Sequence, residues 1–112
     1  MSAKAGSPAV PQWLYRIVPT RPQMVDAATD AEAALVDAHF RYLVDLRDRG
    51  ILVLAGRTQD EDTFGIVIFD AEDAAAAQAI ADADPAVAGG VFAMTLHPYR
   101  IAVARAGIDA AD

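Results

Sequence analysis

One imidazole in this chain sits where a helix should be greasy. In 35-LVDAHFRYLVDLRDRG-50, a layout at 100° per residue puts Leu35, Tyr42 and Leu46 within about 20° of one line, with His39 about 40° from Leu35 on the same stripe. Asp37, Arg41, Val44 and Asp48 take the other side. A histidine on the face that a helix buries is either a core residue satisfied by a backbone carbonyl or a general acid/base. A carboxylate beside it would favour the second, by selecting the tautomer and stabilising the protonated ring. Asp84, in 82-DADPAVAGG-90, is the candidate partner. Its competing reading is turn chemistry, because Asp-Pro at a helix end caps nearby backbone N–H groups. Asp82 would serve instead if the turn were rotated.

Other residues could hold a ligand. Arg57 could grip the carboxylate of a small organic acid through a bidentate pair, or stand as a surface arginine beside 60-DED-62. Trp13, Tyr15 and Tyr42 could line a pocket for an aromatic or lactone ring, or simply be core or dimer contacts. Tyr42, one helical turn from His39, is the best placed of the three. His97, in 97-HPY-99, marks a bend in the last strand. Two histidines with no third ligand grouped beside them predict no metal site. There is no Ser-His-Asp pattern, no phosphate-cradling glycine loop and no flavin or nicotinamide fingerprint, so no cofactor is expected.

The elements that must position these residues are legible from periodicity. The segment 12-QWLYRIVPT-20 alternates, with Trp13, Tyr15 and Ile17 on one face, and reads as a strand ended by Pro19 and Pro22. After a loop over 19–28, Thr29 and Glu32 have capping-box spacing, and Gly50 closes a helix of about five turns. The runs 51-ILVLAGRT-58 and 63-TFGIVIFD-70 flank the polar turn 59-QDED-62 and predict a hairpin. Alanine-rich 71–83 is a second helix with acidic residues in its first turn, broken by Pro85 and Gly89-Gly90. The last strand spans 91–103, bent at Pro98; residues 1–11 and 104–112 read as loose tails around a domain over 12–103.

The order β-α-β-β-α-β, with right-handed crossovers, gives a ferredoxin-like α+β fold: an antiparallel four-stranded sheet with both helices on one face. The loop at 19–28, the hairpin turn and the turn 82–90 then share one end of the sheet. His39 descends from that end and Asp84 sits in it, so the two can approach although forty-five positions apart. The bare sheet face would expose more apolar surface than a monomer tolerates, which predicts a homodimer with the sheets facing each other.

Bulk properties narrow the class. A chain of 112 residues, 54% hydrophobic, is one domain with its own core and has no apolar run that could cross a membrane. The first eleven residues lack the apolar segment of a secretory signal, and the chain has no cysteine, so a cytoplasmic location is expected. A net charge of −7 without a basic stripe argues against nucleic acid as a partner.

Three stretches taken together, A-H-F-x-Y-L-x-x-L-x-x-x-G-x-L-x-x-A-G at 38–56, A-D-A-D-P-A-V-A-G-G-V-F at 81–92 and H-P-Y at 97–99, closely resemble the YciI-like (YCII-related) domain family. The agreement runs from about Trp13 to Val103. The resemblance implies a ferredoxin-like fold, dimers resembling dimeric α/β barrels, and a histidine-aspartate dyad that falls on His39 and Asp84. It also implies kinship with proteins that break down chlorinated aromatics by acting on ring-derived lactones or muconates. The chain departs from the pattern at 55-AGR-57, where relatives often have Ala-Gly-Pro, and at Val36 and Asp37, where many carry an arginine. Two functions remain open: a cofactor-independent enzyme using the pair on a small acidic or ring-derived metabolite, or a non-catalytic small-molecule-binding or accessory dimerisation domain.

Overall fold

A computed structural model describes residues 10–108; most of the tails expected at 1–11 and 104–112 lies outside the described residues. The elements run β1 (Gln12–Pro19), α1 (Met24–Ala27), α2 (Asp30–Asp48), β2 (Leu52–Arg57), β3 (Gly65–Asp70), α3 (Ala74–Asp82), α4 (Pro85–Ala88) and β4 (Phe92–Tyr99). The four strands form one antiparallel sheet in the order β2-β3-β1-β4, so both long crossovers pack their helices on the same face. This is the ferredoxin-like α+β arrangement.

Alternation along the strands sorts the side chains. Tyr15 and Ile17 of β1 and Val67 and Phe69 of β3 point to the helices, where Ala77 and Ala81 of α3 press on them without any exposed surface of their own. Small alanines let α3 sit close to the sheet. The other face carries Leu14, Arg16 and Val18 from β1, with Ile66 and Ile68 opposite them on β3. Arg16 lies over the Phe64 ring at 4.5 Å, and the outer strand contributes Ala93, Thr95 and His97. The apolar share of this face is therefore concentrated on the two central strands.

Two registers shape the β2 side of the sheet. Gly65 of β3 stands beside Ile17 on one side and Arg57 on the other, so these three form the upper row of the helix-facing surface. In β2, pairing slips between Leu52 and Leu54, a bulge that accommodates Val53. At the far edge, β4 continues through Pro98, which pairs with Trp13, and ends at Tyr99 rather than reaching Val103. An edge strand can hold proline because its outward N–H has no ladder partner to lose.

The start of α2 is fixed by charge as well as by its cap. Thr29 accepts from the Glu32 backbone N–H while the Glu32 carboxylate accepts from the Thr29 N–H, and Arg21 donates to both carboxylate oxygens at 2.9 and 2.6 Å. The Arg21 hydrogen bonds, followed by the Thr29 N–H, hold the Glu32 carboxyl at about 2, well below its ordinary 4.5. A lowered carboxylate stabilises the fold above its unfolded value and loses that contribution as the pH falls. Glu32→Gln should therefore melt a few degrees below the parent at pH 7, and the two curves should converge between pH 4.5 and 2. A gap that stays constant with pH would assign the effect to packing instead.

Candidate active site

The path to the site begins where α3 stops. Asp84 has extended backbone (φ −61°, ψ 122°) and is the N-cap of α4, with Pro85 at the first helical position, where its missing N–H costs nothing. Asp84 Oδ1 accepts from the Ala86 N–H at 3.0 Å, so the turn-cap reading of this residue holds. Yet Asp84 is wholly buried, and a carboxylate out of water needs more than one donor. Its second oxygen supplies the rest: Oδ2 accepts from the Tyr15 hydroxyl at 2.7 Å and meets His39 Nδ1 at 2.6 Å. The two readings of Asp84 do not compete, because they use different oxygens.

His39 comes to this carboxylate from the middle of α2, on the face that the periodicity turned inward. Its side chain is 12% exposed. An ionised carboxylate can only accept, so the hydrogen of a neutral imidazole is assigned to Nδ1 and the lone pair to Nε2. Among the described residues Nε2 has no hydrogen-bond partner. The ring stands edge-on to Phe92, with centroids 5.3 Å apart at 82°. Gly89 sits close to α2: a Cβ there would lie 2.7 Å from Leu35 Cδ1 and 3.0 Å from the Pro85 carbonyl oxygen, so a larger residue would have to displace the tip of Leu35.

His39 opens onto a cleft of about 820 Å³ between α2 and the sheet. Ile17 and Val67 lie on its sheet side, Phe40 and Leu43 on its helix side, and Phe92 beside the imidazole. Arg57 also lines it, at the upper row of β2. Phe40 is 64% exposed at the rim, an apolar ring left in water next to the histidine.

The structure brings neither Trp13 nor Tyr42 to this cleft. Trp13 lies at the opposite end of β1 from Ile17, and its indole N–H donates to the Ala71 carbonyl at 3.0 Å. Tyr42 turns towards α3, where its hydroxyl donates to the Ile80 carbonyl at 2.7 Å. Burial, then the charge of Asp84, raises the Tyr42 phenol above its ordinary 10.0. Asp82 is exposed and accepts from Gln78 at 2.9 Å, and His97 is exposed on the other sheet face beside Thr95, so neither joins the pair. Among the described residues no three His, Cys, Asp or Glu side chains group as metal ligands. No helix among the described residues is long and apolar enough to cross a membrane.

Sequence reading missed the role of Tyr15, which alternation places inward without saying which polar atom it meets. Its ring is fully buried and packs edge-on to Phe69 at 5.8 Å. Burial, followed by the charge and the hydrogen bond of Asp84, pushes ionisation of the phenol far above its ordinary 10.0, so it remains a donor.

Comparison with known proteins adds a lineage to this geometry. No curated protein matches the chain. Among solved structures, the fold is similar to that of 5-chloro-2-hydroxyhydroquinone dehydrochlorinase (TftG) from Burkholderia phenoliruptrix AC1100, in complex with 2,5-dihydroxybenzoquinone. The TM-score is 0.58 at 20% identity, covering 79% of this chain and 93% of that one. The family model for the YCII-related domain matches residues 14–96, a span that holds Tyr15, His39, Arg57 and Asp84. The chain belongs to the YCII-related domain family.

Proposed function

We propose that this protein is a small cofactor-independent enzyme whose His39–Asp84 pair moves protons on a compact, ring-derived organic acid. The observation that carries the reading is the imidazole held at Nδ1 by a buried carboxylate while its other nitrogen has no hydrogen-bond partner among the described residues, on a ring that lines an apolar cleft. In the reaction, Nε2 takes a proton from an acidic C–H or O–H of the ring, and Asp84 steadies the imidazolium that forms. The electron pair released from a C–H then has three balanced outcomes. It expels chloride from the conjugated system, opens a ring C–O bond, or returns to a proton at another carbon delivered by the same imidazolium. The similar Burkholderia structure, a dehydrochlorinase holding a dihydroxybenzoquinone, favours chloride loss for a flat oxygenated ring, where the pair comes from an O–H. It moves into the ring as the imidazolium protonates the chlorine-bearing carbon, and loss of a second O–H proton then expels chloride and leaves a quinone. Arg57 holds the anionic substituent of such a ligand.

Two further features complete the proposal. A second copy covers the apolar centre of the free sheet face, giving a homodimer; a monomeric mass in sedimentation at micromolar concentration would remove this part. A chain without cysteine suits a reducing compartment, the cytoplasm.

The test is a panel of 5-chloro-2-hydroxyhydroquinone, its dechlorinated analogue and unsaturated five-membered lactones bearing a carboxylate. Chloride release and ultraviolet absorbance are the readouts. Wild-type protein should turn over at least one member, His39→Asn should not, and Arg57→Gln should raise KM for the anionic members alone. Binding detected by thermal shift with no turnover of any member would replace the enzyme by the binding-domain alternative.

A further inference from the structure

Asp84 Oδ2 is the only protein contact that fixes His39 Nδ1 among the described residues, and one other donor touches that oxygen. Tyr15 reaches it from the sheet beneath, sixty-nine positions away in sequence. We infer that Tyr15 is a positioning residue of the pair: its hydroxyl pins Oδ2 in place so that the imidazole keeps its hydrogen on Nδ1 and its lone pair on the cleft side. The inference rests on the acid/base reading above but concerns a state of the free protein, so its first readout needs no substrate.

Each end of the carboxylate has a fixed anchor. Oδ1 is held by the backbone N–H of Ala86, which belongs to the same short turn and moves with it. Oδ2 is held by a phenol that cannot move, since its ring has no exposed surface and leans on Phe69. Without that hydroxyl the Oδ2 end is restrained by the histidine alone, the group it is meant to orient. Carboxylate and imidazole could then shift together, and the ring could place its hydrogen on Nε2, the nitrogen that must be bare to act as a base. A hydrogen bond to a charged acceptor is also stronger than a neutral one, so the loss is felt beyond packing.

The experiment uses the full chain labelled with ¹⁵N-histidine in a His97→Gln background. The chain has two histidines, and His97 is exposed on the far face, so this leaves one imidazole to observe. With Tyr15 present, the spectrum should show a single neutral tautomer with hydrogen on Nδ1. In Tyr15→Phe, which keeps the ring and its contact with Phe69, the Nε2–H tautomer should rise to a clearly resolved minor or major fraction. With whichever panel member is turned over, kcat should fall about tenfold while KM stays within about twofold. A tautomer unchanged in Tyr15→Phe would overturn the inference, as would a change confined to thermal stability. The outcome is separable from the fate of the acid/base reading. If His39→Asn leaves turnover intact, that reading falls whatever Tyr15 does. If His39→Asn abolishes turnover while Tyr15→Phe alters neither tautomer nor kcat, only the positioning role is lost.

Discussion

His39→Asn is expected to lower kcat/KM by about two to four powers of ten while leaving the fold nearly intact. The choice of asparagine separates chemistry from packing. Its amide nitrogen lies close to where Nδ1 was and can still donate to Asp84 Oδ2, so the buried carboxylate keeps three donors. What disappears is the second ring nitrogen, the atom on the cleft side. A structural histidine would show the reverse pattern, with the melting temperature falling and turnover unchanged. Steady-state kinetics on the turned-over panel member, read beside a thermal melt of the same preparation, distinguish the two.

Asp84→Ala should give the largest loss of stability, about 3–5 kcal/mol, because it strands a fully buried phenol and a buried helix-start N–H together with the N–H of a nearly buried imidazole. Against a usual total of about 5–15 kcal/mol this is a large share, and urea unfolding would report it directly. Asp84→Asn should be gentler on the fold, since its carbonyl can still cap Ala86. Its amide, however, would donate towards the histidine and drive the hydrogen to Nε2, so turnover should fall nearly as far as in His39→Asn. Equal stability losses for the two Asp84 variants would show that the carboxylate charge, rather than side-chain volume or the cap on Ala86, governs the position.

The long helix could be read from the chain because its signals are local. Thr29 and Glu32 cap it, Gly50 stands just beyond its end with φ of 73°, and α2 runs between them. The hairpin and the inward row Trp13, Tyr15, Ile17 were equally visible, since alternation is a property of neighbours. The four-residue helices α1 and α4 gave no such signal: they are too short for periodicity and are held by what they dock against. Likewise, the acidic residues expected inside the second long helix precede it, with Asp73 acting as its cap to Ala76. For the site, topology brought His39 and Asp84 to one end of the sheet, but not the division of labour between two oxygens of one carboxylate. Tyr15 belongs to that same category. Which buried hydroxyl meets which buried acid is decided by packing depth, and pattern along the chain carries no record of depth.

The slip at Val53 has an outcome for the opposite end of β2. Because the strand absorbs one surplus residue, everything after it changes parity: Ala55 and Arg57 pair with Val67 and Gly65 on the helix side, while Leu54 and Gly56 face away. Were the same residues to pair in unbroken alternation, Leu54 and Gly56 would turn inward and the guanidinium would leave the cleft for the far face. The guanidinium that β2 adds to the histidine's cleft is thus placed by a backbone irregularity four positions upstream. Relatives that share every residue of the wall but not this kink would offer the same imidazole a chemically different lining.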